Sequence, residues 1–206
     1  MSYRDPVRAW FVVVVLVSCC ATACATATEP LTDPEVPAFS TPPPPGRAEG
    51  RTVPETCPEV ITAEELGTIL GMFVRGEAQP VVGVPQESIG RTARLDCYFG
   101  VPTGRPLSAA TVWVALTSYT DAHQAQRRLT STIADERTAG SQVNEVPVGP
   151  DRGVLLRGKA WMLVAQRGST TVVVTVRPDL VREDRAGAML GQLADKALTP
   201  REPTPG

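Results

Sequence analysis

The chain has 206 residues, with 20 Lys and Arg against 22 Asp and Glu, a single His, five Cys and 20 Pro. That length suits one ordinary domain with tails, and a net charge of −2 excludes a phosphate-backbone binder driven by a basic surface. One His excludes a multi-histidine metal site and leaves His123 as the sole candidate for histidine-dependent catalysis.

Residues 1–9 carry Arg4 and Arg8 ahead of an unbroken apolar run from Trp10 to Val17. Even counted through Ala23, this segment is shorter than the roughly 20 residues of a spanning helix. A basic start before so short an apolar core reads as an export signal; a buried strand or an uncleaved anchor are the competing readings. Leu16-Val17-Ser18-Cys19 resembles the bacterial lipobox. The resemblance implies cleavage after residue 18 and a lipoprotein whose Cys19 thiol is acylated, as by palmitate. Cys24, behind Ala21-Thr22-Ala23, is the alternative, and Cys20 fits least. Loss of residues 1–18 removes Arg4, Arg8 and Asp5, leaving 18 basic and 21 acidic residues and a net charge of −3. Lipid, and not basic residues, would then hold the chain on the outer face of the cytoplasmic membrane.

Residues 19–56 read as an acylated N-terminus followed by a linker. Residues 25–56 hold prolines at 30, 34, 37, 42, 43, 44, 45 and 54 and few large apolar side chains. Such a stretch buries too little surface to offset its ordering entropy. Extended as polyproline II at about 3.1 Å per residue, it reaches on the order of 100 Å, enough for a stalk. Residues 57–198 read as one domain, and residues 199–206 as a loose end.

Within the domain, Thr62-Ala63-Glu64-Glu65 is a capping box, with Ile61 and Leu66 at the staple positions. Leu66, Ile69, Leu70 and Phe73 are expected on one helix face, and Gly71 offers the stop. Residues 75–90 read as a long loop with room for a short strand at Val81-Val82. Two strands follow: residues 94–99, with Leu95, Cys97 and Phe99 on one side, and residues 110–117, with Val112, Val114 and Leu116 set against Thr111 and Trp113. Thr120-Asp121 caps a second helix through Ala125, Leu129 and Ile133, closed by Gly140. A meander of strands at 142–147, 153–157, 160–166 and 170–177 is linked by short glycine-bearing turns. A last helix, about 180–198, buries Met189, Leu190, Leu193 and Ala197. The order helix, two strands, helix, meander, helix gives an α+β fold, a mostly antiparallel sheet packed against helices.

Cys57 and Cys97 are the two cysteines outside the export region, and an exported compartment permits a disulfide between them. Neither CxxC spacing nor basic neighbours mark the pair as redox-active. The run Cys57-Pro58-Glu59-Val60-Ile61-Thr62-Ala63-Glu64-Glu65-Leu66-Gly67-Thr68-Ile69-Leu70-Gly71, followed by Cys97-Tyr98-Phe99, resembles an actinobacterial lipoprotein family, domain of unknown function 3558. Residues 57–99 carry the resemblance, and Pro58-Glu59-Val60 departs from the family's leucine-rich opening. The resemblance implies an envelope location, a disulfide and a sandwich of sheet and helices. It implies no catalytic residues.

No nucleophile elbow, phosphate loop or calcium-loop spacing occurs, so no catalytic or metal residue and no cofactor is assigned. His123 lies among polar neighbours in Asp121-Ala122-His123-Gln124 and reads as a solvated surface residue. Arg127-Arg128 is either a patch for an acidic partner or a solvated pair. Trp113, Trp161, Tyr98 and Tyr119 are the aromatic candidates. Trp113 and Trp161 read first as core, with Trp161 a weak candidate to face a groove between sheet and helix. A non-enzymatic module binding an envelope protein, lipid or glycan is the first expectation, and a small cell-wall hydrolase the alternative. A convergent polar triad in a pocket would favour the enzyme, and an apolar cleft without paired acid and base the binding module.

Overall fold

Strands whose apolar residues alternate this regularly must lay one face on a core, and here a single sheet takes all seven of them. The computed structural model describes residues 50–201; the export signal, Cys19, Cys24 and the proline-rich stretch up to residue 49 lie outside the described residues. The elements are α1 (Cys57–Val60), α2 (Ala63–Leu70), β1 (Gln79–Gly83), β2 (Arg91–Phe99), β3 (Val112–Tyr119), α3 (Ala122–Thr138), β4 (Gln142–Val148), β5 (Asp151–Arg157), β6 (Trp161–Arg167), β7 (Thr170–Val176) and α4 (Glu183–Leu198). The sheet order is β1-β2-β3-β7-β6-β5-β4, and every neighbouring pair is antiparallel. The two-residue link Gly168-Ser169 turns β6 into β7, with Gly168 at φ 57°, where a side chain would be strained.

Period-two alternation separates two faces. Leu95, Cys97 and Phe99 of β2, Val112, Val114 and Leu116 of β3, and Val172, Val174 and Val176 of β7 are all buried on one of them. Helix α4 lies across β4, β6 and β7 on that face, and α1 and α2 pack beside it. Leu190, Leu193 and Leu198 of α4 are fully buried; each stabilises by about 1.5–3 kcal/mol relative to exposure. The Cys57–Cys97 disulfide, with Cα atoms 5.6 Å apart, pins α1 to β2. The expected capping box is present: the Glu65 backbone N–H donates to the Thr62 hydroxyl, and the Glu65 carboxylate accepts from the Thr62 N–H.

The opposite face carries α3 alone among the described helices, through Ala125, Leu129 and Ile133. Asp121 caps α3 by accepting from the Gln124 N–H at 2.8 Å. This helix runs from the Tyr119 end of β3 to the Gln142 end of β4, so it crosses the sheet diagonally and leaves part of it uncovered.

Two local expectations are corrected and one is met. Phe73 is exposed, because Gly71 turns left-handed at φ 66° and ends α2; Val74 takes the buried place instead. The short strand allowed for at Val81-Val82 is present and longer, as the edge strand β1 paired along β2 from Gln79↔Tyr98 to Gly83↔Arg94. Cys57 opens a short helix of its own instead of preceding the first one.

The ordered chain also reaches back past residue 57. Arg51 is buried, and its guanidinium donates to the Ala197 and Thr199 carbonyls at 2.7 and 3.0 Å and to the Glu59 carbonyl at 2.5 Å. Its own carbonyl accepts from the Thr170 hydroxyl at 2.7 Å. A cation on the last carbonyls of α4 complements the helix dipole, so one residue of the supposed linker joins α1, α4 and β7.

Candidate functional site

Positions 94, 96 and 98 alternate with the buried positions of β2, so Arg94, Asp96 and Tyr98 point to the α3 face. Register places Trp113 of β3 opposite Tyr98, and the small Ala115 opposite Asp96. The space over Ala115 lets the indole reach Asp96 on the diagonal. The result is a braced wall. Arg94 donates twice to Asp96, from Nε to Oδ2 at 2.7 Å and from Nη2 to Oδ1 at 2.8 Å. Trp113 Nε1 donates to the same Oδ1 at 3.0 Å. The Tyr98 and Trp113 rings stack with centroids 5.9 Å apart and planes 4° from parallel, and the Arg94 guanidinium carbon stands 6.0 Å from the Trp113 ring centre.

Asp96 is only 5% exposed, a position a carboxylate holds when its oxygens are satisfied. Hydrogen bonding to Asp96 holds the Arg94 guanidinium above its usual pKa. Burial pushes the Tyr98 phenol up, with the Asp96 charge adding to it.

Beside this wall an open groove of about 200 Å³ runs between the sheet and α3. Its floor is Val173 of the central strand with Met162 of β6, both half-buried. Arg128, Leu129 and Thr132, at helical spacing on α3, form the far wall. Arg128 is exposed, and among the described residues it makes no ion pair. The lining side chains include no carboxylate, His or Cys. Such a surface can hold an apolar body and attract an anion.

The sequence candidates fall on both sides of the sheet. Cys57 and Cys97 join on the helix-packed face as expected. Trp161 begins β6 on that same face, half-buried against the α4-side core, while its neighbour Met162 points into the groove. The aromatic side chains that line the groove are therefore Trp113 and the buried Tyr119. The signal was present in the alternation that set Trp113 apart from Val112 and Val114, because that parity puts it on the face away from the core. His123 is exposed near the start of α3, and Arg127 turns back to the Gln124 side-chain carbonyl. Among the described residues, no cluster of three or more His, Cys, Asp or Glu could hold a metal ion. No helix among them is long and apolar enough to cross a membrane.

No family model matches the chain, and no curated protein matches it in sequence. Among solved structures, the chain is similar to the extracellular domain of PknH from Mycobacterium tuberculosis, with 12% sequence identity and a TM-score of 0.44. The likeness covers 73% of this chain and 98% of that one.

Proposed function

We propose that this chain is a lipid-anchored binding module of the cell envelope, and that its ligand lies in the groove between the sheet and α3. Cys19 is the acylated residue, with Cys24 the alternative, and the proline-rich segment after it is a stalk. The family resemblance of residues 57–99 belongs to the same reading. The observation that carries binding over hydrolysis is the engagement of Asp96. Both oxygens of this carboxylate accept hydrogen bonds, from Arg94 and from Trp113, so it braces a wall, and the groove beside it is lined without a carboxylate, His or Cys. Side chains locked in this way form a site that costs little to order on binding.

Native mass spectrometry of the full chain purified from the envelope tests this reading. A small-molecule adduct is expected, and Met162→Trp, which fills the groove, removes it. Absence of any adduct, or an adduct that survives Met162→Trp, overturns the proposal. A diacylglycerol on the N-terminal peptide at Cys19 is the expected mark of the anchor; an unmodified peptide refutes it.

A further inference from the structure

Resting on the reading that the groove binds a ligand, we infer that ligand's class: a small molecule with one negative charge on a short apolar body. Charge comes first. The Arg94 charge is balanced by Asp96 at hydrogen-bond distance. Arg128 enters from the other side with no ion pair among the described residues, and Gln124 and Thr132, one helical turn away in either direction, are uncharged. One uncompensated cation therefore stands at the mouth, and a single anionic group complements it.

The body of the ligand follows from the floor. Trp113 already has Tyr98 stacked on it and the Arg94 guanidinium near its ring, and Tyr119, the other aromatic in the lining, is only 6% exposed, so the groove offers little aromatic face. It offers aliphatic surface from Val173 and Leu129, and the flexible thioether of Met162, which adapts to an alkyl chain. Size sets the length. A volume of about 200 Å³ lies below the roughly 300 Å³ at which drug-sized ligand pockets begin. The groove thus takes a short acyl segment and not a whole diacyl lipid or nucleotide.

Sodium octanoate and its uncharged counterpart 1-octanol are the probes, titrated into the full chain produced unacylated with its disulfide formed. Trp10→Phe and Trp161→Phe leave Trp113 as the one fluorescent indole, since the chain has three Trp. Octanoate is expected to shift Trp113 emission saturably and bind about tenfold tighter than octanol, which corresponds to about 1.4 kcal/mol. That advantage shrinks in about 1 M salt, where exposed charges are screened. Arg128→Gln brings the octanoate affinity to that of octanol without changing the thermal midpoint. Equal affinity for the two probes, or a preference that survives Arg128→Gln, overturns the inference and leaves the groove a site of another specificity. If neither probe binds, the inference fails; the native-mass adduct, scored separately, decides whether the groove reading fails with it.

Discussion

Replacing Asp96 with Asn probes the brace behind the groove. Asp96 is 5% exposed and accepts two hydrogen bonds from Arg94 and one from Trp113. Asn keeps the shape but offers one carbonyl oxygen, and its amide points N–H donors at a guanidinium that has only donors. Hydrogen bonds to charged groups contribute about 1.5–3 kcal/mol each, and breaking a fully buried ion pair costs about 3–5 kcal/mol. The Arg94 side chain keeps 29% of its exposure, so water recovers part of that loss. Asp96→Asn should therefore cost about 2–3 kcal/mol, a fall in thermal midpoint of about 5–10 °C for a domain of this size. Urea unfolding should show an unchanged slope, and Trp113 emission should move to longer wavelength as the indole loses its acceptor. Arg94→Met, alone and combined with Asp96→Asn, completes a cycle whose coupling should be about 2 kcal/mol. A loss below about 0.5 kcal/mol, or additive single effects, would refute the brace.

Further outcomes follow from other parts of the molecule. Cys57→Ala with Cys97→Ala opens a crosslink spanning 40 residues, and chain entropy puts the loss at about 4 kcal/mol; a midpoint that drops by less than about 2 °C on calorimetry would contradict this. Arg51→Met leaves the Glu59, Ala197 and Thr199 carbonyls without their guanidinium donor. Amide exchange in the last turn of α4 should then accelerate well before the sheet is affected, and uniform exchange across the domain would argue against a local cap. Glu65 supplies a pH test. Burial pushes its carboxyl up, but hydrogen bonds from Thr62, Lys196 and Arg201 outweigh that and lower its pKa from 4.5 to about 2. A depressed folded-state pKa stabilises fully above pH 4.5, and that stability is lost as pH falls toward 2. Between those limits stability should rise with pH in the native protein and rise less in Glu65→Gln; equal profiles on urea unfolding would contradict the assignment.

Much of the architecture is written in local chemistry. The capping box at Thr62 and Glu65, the alternation in β2, β3 and β7, and the glycine turn at 168 each specify their element through nearest neighbours. For that reason the meander and its two faces are legible. What depends on tertiary pairing is not. Strand β1 carries Pro80 and no buried side chain; only the Val81-Val82 pair marks it in sequence, and its full length comes from lying against β2. Arg51 carries no local signal, since its three acceptors lie 8 to 148 residues away. Trp113 is the instructive case. Its parity was readable, but a tryptophan in a central strand reads as core until it is known that α3 crosses diagonally and leaves that face open. Arg128 changes meaning for the same reason: on an isolated helix it is half of a solvated basic pair, and against the sheet it is the cation of a groove.

The indole N–H signals of Trp113 and Trp161 in a proton–nitrogen correlation spectrum give the most direct measure of the groove as the binding site. The two rings lie on opposite faces of one sheet, so each is the other's control, and Trp161→Phe assigns them. Ligands found in a small-molecule screen of the full chain should move the Trp113 signal and leave Trp161 in place. Ligands that bind while Trp113 stays still, or that move Trp161 equally, would contradict the account.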